Sequence, residues 1–485
     1  MPQGEGKPTP VALPSEVGVV NVGLGVLGES VRAQGAPAVD LDWRIPAGGR
    51  ADLVAALTRL HGRWGSQVEQ ANREVVRRLE ESVPVLVGVS RLAEAVPEAD
   101  GRVLLHPGPP LAWADVCAPL RRSARAAAVA QGWAGSPEEA EALIGRGAVR
   151  LEPANHHATV VPMATVVGPL DPVFVVENRP GGNRSCAPLN QGPGEAPWLG
   201  VDSPEAIRRL IWLREVAGPA LAEAIRSAGP IDLFALVAQG LQMGDDVHIR
   251  SQATTNLLLR ALLPHLVTGR HPGMPELARF LSWNHLFFLN LAMAAAKATV
   301  DWAAQVEGSS VVVGMARNGT TFGVRLGGFE GWFTAPAPPV GNALYQPGYG
   351  PEDGAPDIGD SAVLELVGLG GAAAAASPAV ASFLGGIAGA FEATATFGSI
   401  CVARSGRFKL PFLDFQGSPV GVDARRVVEL EVAPMIDTGI LHAAEPQGQI
   451  GAGVARAPLD CFRQAVLALD RRLAAGEGRD RPPGP

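Results

Sequence analysis

The sequence predicts an α/β protein: an N-terminal Rossmann-like parallel α/β domain followed by a larger mixed α+β domain with a helical middle segment. Three observations carry this. From Val17 to Arg146, apolar runs of strand length alternate with helical periodicity, the pattern of a parallel sheet with flanking helices. From about 203 to 305 the apolar spacing is helical almost throughout. After Gly308, short β-branched runs return.

The elements follow in order. Met1–Pro14 is polar and Pro-rich, without the apolar core of a signal peptide, so 1–15 is expected to be a disordered tail and the location cytoplasmic. The first domain, 16–148, opens with a strand at Val17–Val22, a short helix at Val26–Gln34 ending at Gly35, and a second strand at Ala38–Trp43. A long helix covers Ala51–Glu81, and Val85–Val89 and Arg102–His106 are strands. The main domain, 149–474, starts with strands near Thr159–Val167 and Pro172–Val176. Ser203-Pro204-Glu205 caps a helix reaching Ser227. Helices follow at Ile231–Gln239, Gln252–Leu266 and Pro275–Ala304. Strands are expected at Ser310–Met315, Thr321–Leu326 and Val427–Val432, then a helix at Pro458–Ala474 and a second tail at 475–485. No internal repeat is evident.

Composition narrows the class. Gly (59) and Pro (42) make about a fifth of the 485 residues, which favours turns over long helical rods. A net charge of −8 without a dense basic run excludes a nucleic-acid partner. Cys117, Cys186, Cys401 and Cys461 are far apart, so spacing supports neither a zinc site nor a disulfide framework. Leu366–Phe391 is uncharged and long enough to span a bilayer, but six glycines, Pro378 and few large aliphatics mark it as close-packed interior rather than a membrane span.

Several constellations could carry chemistry. Glu177–Arg184 and Asn190–Glu195 follow the apolar run Val173–Val176. A strand ending in a Gly-rich turn with Asn178, Arg179, Gly181, Gly182, Asn183 and Arg184, with Glu195 beyond, presents N–H groups and cations together, as an anion site requires. Arg317-Asn318 repeats the Asn–Arg pairing at another strand end. Asn155-His156 follows Glu152-Pro153, and Asp245-Asp246-x-His248 lies between two helices as an acid/base cluster or as a helix cap. Asn290 and Lys297 share one face of a strongly apolar helix, where both need partners. Gly23-x-Gly25-x-x-Gly28, between strand and helix and followed by Asp40 and Asp42, matches a dinucleotide fingerprint and keeps an NAD-linked oxidoreductase as an alternative.

Val20–Leu24, Glu29-Ser30, Ala33–Gly35 and Asp42–Gly49 resemble the opening of the YlbE/AllG family and a related stretch of its partner family, FdrA. Glu152–His156, Glu177–Arg179, Asn183-Arg184, Gly192–Glu195, Gly244–His248 and Arg317–Gly319 resemble that family's main domain. The resemblance spans roughly 17–470. It implies a carbamoyltransferase subunit working with FdrA-like and AllH-like partners in allantoin nitrogen catabolism, converting the ureido acid oxalurate and phosphate into oxamate and carbamoyl phosphate. No cofactor is firmly implied by it, and it leaves open whether a metal is bound; phosphate or carbamoyl phosphate is a substrate. A homo-oligomer is compatible with it, and a non-catalytic scaffold role is the other alternative. Carbamoyl transfer needs oriented donors and a proton carrier. Arg179, Arg184, Arg317, Asn318 and the Gly181–Asn183 amides are therefore expected to bind anions. His156 or His248 is expected to move the proton, with Asp245 or Asp246 orienting the imidazole.

Overall fold

The computed structural model describes residues 18–41 and 45–477. Asp42, Trp43 and Arg44, the N-terminal tail and residues 478–485 lie outside the described residues. The fold is mixed α/β, with both parallel and antiparallel sheets. Strands β1 (Val19–Val22) and β2 (Ala38–Leu41) form a parallel pair joined by the helix Gly25–Ala33. This βαβ unit has its own two-stranded sheet. The next predicted strand, β3 (Pro84–Arg91), pairs elsewhere, antiparallel to β6 (Pro172–Asn178). Before β6, β4 (Val103–His106) and β5 (Arg150–Pro153) form a second parallel pair. With β7 (Asn183–Pro188) and β8 (Ile231–Asp232), the antiparallel sheet runs β7-β6-β3-β8. The N-terminal alternation thus feeds three sheets, and two of these sheets hold strands from both sides of the expected boundary at 148/149.

Further on, β9 (Val312–Asn318), β10 (Thr321–Leu326), β11 (Phe333–Pro336) and β13 (Ile358–Gly359) form a sheet in the order β11-β10-β9-β13. Strands Cys401–Leu410 and Gln416–Val422 make a hairpin, and Gly341–Tyr345, Gln449–Arg456 and Met435–Leu441 make a three-stranded antiparallel sheet.

Helix breaks separate expectation from structure. Ala51–Glu81 is two helices, Ala51–His61 and Gly65–Glu81, split at Gly62. The helix from Pro204 reaches Ala228 only through a π turn at Leu213–Ala217, where Pro219 cannot donate to the regular ladder. Pro275–Ala304 breaks at Asn284 into Met274–Trp283 and Phe287–Ala303. The expected strand Val427–Val432 is a helix, Ala424–Leu430, because the Asp423 side chain caps it through the Arg425 N–H. Thr159–Val167 makes only isolated bridges, with Met163 in left-handed backbone after Pro162. Within Leu366–Phe391 the chain forms short helical turns, and among the described residues no helix is long and apolar enough to cross a membrane. The last helix runs to Glu477, into the predicted tail.

The core centres on Phe287–Ala303. This helix is apolar on all sides, so it must be buried on all sides. Phe287–Val300 is buried throughout, and the helix packs against β6, β7 and the helix Gly65–Glu81. Its three buried polar residues, Asn290, Lys297 and Thr299, all find partners.

Candidate active-site cleft

Lys297 sits where the central helix passes a cleft of about 450 Å³ lined by Asn155, His156, Lys297, Asp301, Arg325 and Glu330. Three local structures build it. Asn155 and His156 come from a 3₁₀ turn, Ala154–His157, which ends at Ala158 in left-handed backbone. The central helix supplies Lys297 and Asp301 one turn apart. Arg325 comes from β10, and Glu330 follows in the loop.

The polar groups are unevenly satisfied. Lys297 Nζ, on a buried side chain, donates to Asp301 Oδ1 at 2.6 Å and to the Asn155 carbonyl at 3.3 Å. Asn155 Nδ2 and Arg325 Nε are buried without an acceptor. The Arg325 guanidinium lies 5.6 Å from the Trp332 ring centroid. Trp332 Nε1 donates to His156 Nε2 at 3.1 Å, which assigns the neutral imidazole's proton to Nδ1. Burial, then the charges of Arg325, His157 and Lys297, hold His156 below the ordinary imidazole value against the opposing pull of Glu152. A neutral His156 near pH 7 follows.

Two buried groups stand nearby. Asp360 accepts the Gly108 and Val161 N–H groups at 2.8 and 3.0 Å, and burial pushes its carboxyl up to about 7, opposed by those bonds and by Lys297 and Arg317. His106 is held at about 4 by burial, with Nδ1 2.8 Å from the Pro107 carbonyl and Nε2 without a partner.

The structure brings only Asn155 and His156 of the predicted site residues into this cleft. The Glu177–Arg184 segment is the turn of the β6–β7 hairpin, and its amides close the turn and tie it to neighbouring elements. Asn178 accepts the Val83 N–H at 3.0 Å and donates to Ser82; Gly182 N–H donates to the Asn178 carbonyl; Asn183 donates to the Ala298 carbonyl. Gly181 packs beside Trp302. Arg184 pairs with Glu177 at 2.8 Å on the surface, Arg179 is exposed, and Glu195 accepts from Ser203. Arg317 is fully buried and engaged by Asp357, Gly359, Ser361 and Thr438, while Asn318 closes the β9–β10 turn through the Thr320 and Thr321 N–H groups.

The cap reading accounts for Asp245 and Asp246. Asp245 accepts from the Ala253 and Thr254 N–H groups and from the Thr254 hydroxyl. Asp246 accepts from the His248, Ile249 and Arg250 N–H groups. His248 Nδ1 lies 2.7 Å from Glu365 Oε1 in the core. Burial, with the Asp246 and Glu365 charges, pushes the nearby Asp437 carboxyl well above the usual range. Among the described residues no group of three or more His, Cys, Asp or Glu side chains is arranged to hold a metal.

The Gly23–Gly28 turn forms as a strand–turn–helix. A Cβ at Gly28 would meet the Asp40 carboxylate, which would have to turn away from its present bonds. Asp40 is already bonded to Asn21 and Arg32, each at 2.7 Å, where a ribose-binding acid needs free oxygens. Lys297 was legible as a charge in an apolar helix. Asp301, Arg325, Glu330, His106 and Asp360 carried no comparable signal, apart from Arg325 interrupting an apolar strand.

By fold and site, this is a mixed α/β protein with a half-open polar cleft suited to a small anion bearing amide groups. Residues 149–361 match the family described as oxamate carbamoyltransferase subunit AllG. The chain is 39% identical over 419 residues to the oxamate carbamoyltransferase subunit AllG of Escherichia coli K12, covering 85% of this chain and all of that protein. It is 34% identical over 459 residues to the uncharacterized protein YahG of the same organism, covering 94% and 97%. A crystal structure of a conserved protein of unknown function from Enterococcus faecalis V583 superposes with a TM-score of 0.81 at 35% identity, covering 83% of this chain and 97% of that one. The chain belongs to the AllG family.

Proposed function

We propose that this chain is a subunit of a carbamoyltransferase in allantoin nitrogen catabolism. It would act with FdrA-like and AllH-like partners on a ureido acid, oxalurate and phosphate giving oxamate and carbamoyl phosphate. The name of the E. coli relative supports the reaction class. The observation that carries the site is the pair of buried donors without acceptors, Asn155 Nδ2 and Arg325 Nε, beside the Lys297 ammonium. Leaving such donors unpaired costs about 1–3 kcal/mol each, a cost that a bound carboxylate, phosphate or carbamoyl oxygen removes.

In the proposed step a phosphate oxygen attacks the ureido carbonyl and the bond to the oxamate nitrogen breaks. Phosphate loses one proton and the leaving nitrogen gains one, so the reaction balances without a cofactor. Lys297 and Arg325 neutralise the anions, and Asn155 Nδ2 donates to the carbonyl oxygen as charge develops on it. Neutral His156 carries the proton from the attacking to the leaving atom on Nε2, which gives up the Trp332 N–H to accept it. In the assembled complex, Lys297→Met and Arg325→Gln should each lower oxalurate phosphorolysis about 10²–10³-fold, the range for loss of one oriented oxyanion donor. Both should leave complex assembly unchanged on gel filtration. Wild-type rates in both variants would place the chemistry in a partner and leave this chain a scaffold.

A further inference from the structure

A second cleft, of about 390 Å³, lies between the helices Pro204–Trp212 and Met274–Trp283, and it goes beyond the carbamoyl-transfer reading. Its two walls repeat a sequence. Residues 204–212 read PEAIRRLIW and residues 275–283 read PELARFLSW, sharing Pro, Glu, Arg, Leu and Trp in register. The expectation of no internal repeat is therefore corrected on a nine-residue scale. Helical spacing puts the Glu, the Arg and the Trp on one face of each helix at i, i+3 and i+7. The structure turns these faces toward a common cleft.

The floor is aromatic. Trp212 and Phe280 meet edge to face at 5.0 Å, and Phe280 and Trp283 at 5.3 Å. The Arg209 guanidinium stands over Trp283 at 6.0 Å while donating to the Gln191 and Pro193 carbonyls. Trp283 remains 44% exposed, unusual for an indole beside a buried core. Gly192 closes one end. Its φ is +76°, and a Cβ there would meet the Phe280 and Trp283 rings at 3.1–3.2 Å, so the position disfavours any side chain.

The rim sets three arginines, Arg208, Arg209 and Arg279, against two glutamates, Glu205 and Glu276, and Glu276 is exposed one turn from Arg279. Glu205 is matched by Arg208 at 2.7 Å, while the Arg279 guanidinium is exposed and, among the described residues, forms no ion pair. Trp212 Nε1 is buried without an acceptor. An open indole, an unpaired guanidinium and an orphan N–H donor at one cleft match a flat ring that carries negative charge. The volume lies within the range for small-molecule sites.

We propose that this cleft binds a planar heteroaromatic anion, the ring stacked on Trp283 and the charged group paired with Arg279. Adenosine monophosphate and orotate, a ring phosphate ester and a ring carboxylate, probe the class in calorimetric and tryptophan-fluorescence titrations of the full chain. Adenosine and inorganic phosphate are the controls. Saturable binding of one probe, at least about tenfold tighter than either control and weakened about tenfold in Arg279→Gln, supports the site and tells which anionic group it takes. Trp283→Leu should abolish the fluorescence response. Arg279 is exposed, so its variant keeps the test valid if Trp283→Leu does not fold. Absence of saturable binding for both probes, or unchanged affinity in Arg279→Gln, overturns the proposal. The readout is binding alone, so it stands or falls independently of phosphorolysis.

Discussion

Two arginines of one β-hairpin behave in opposite ways. Arg317 on β9 and Arg325 on β10 lie near opposite ends of the same antiparallel ladder. Arg317 is fully buried, with Nε 2.8 Å from Asp357 and further bonds to Gly359 and Ser361. Arg325 Nε is also buried, but it has no acceptor and faces a cleft beside Lys297. The residue type and the hairpin are the same. Burial therefore does not mark a binding group; an unsatisfied donor does, because only that group gains when a ligand arrives.

Arg317→Leu should break this comparison most severely. It strands Asp357 as an unpaired charge in the core, and loss of one partner of a buried pair costs about 3–5 kcal/mol. A urea midpoint should fall accordingly, whereas Arg325→Gln should hold the midpoint while losing phosphorolysis. Similar midpoints for the two variants would erase the distinction.

The next effect is pH-dependent. Asp360 titrates at about 7 in the folded chain and near 3.8 when unfolded. Between those values the native state keeps a proton that the unfolded chain has released. Its contribution to stability therefore falls as pH rises through that window and is fully lost above about 7, with a slope of up to about 1.4 kcal/mol per pH unit. Asp360→Asn should flatten the stability profile between pH 5 and 7; an unchanged slope would place the titration elsewhere.

Smallest of all, Arg184→Gln should change neither melting temperature nor phosphorolysis, since its pair with Glu177 is exposed and screened. A substantial activity loss there would restore the hairpin turn as a substrate wall.

Much of the fold was readable. The β1–helix–β2 unit, the helical run from 204 to 303, the β9–β10 hairpin and the last helix all follow from apolar period and caps. Strand partners were less accessible. Alternation placed β3 in a parallel sheet, yet it pairs antiparallel with β6, because pairing depends on contacts far apart in sequence. The βαβ unit consequently keeps one apolar sheet face open, with Val20 and Val39 more than 60% exposed. Site prediction failed for a related reason. Asn, Asp, Gly and Arg at turns read as ligand groups, but the same residues satisfy turn and cap hydrogen bonds, and at Asp245, Asp246 and Asn318 that local use won.

The sequence by itself determined the mixed α/β class, the strongly apolar central helix and the presence in it of a lysine that must find partners. Asn155 and His156 also stood out in the sequence, and both line the cleft. Only the tertiary structure decided that Lys297, paired with Asp301 one turn on, meets Asn155 and shares a cleft with Arg325, residues from two other segments. Only it decided that Arg317 is engaged while Arg325 is open. A chain specifies its donors locally, but whether a donor is satisfied depends on every segment that packs around it.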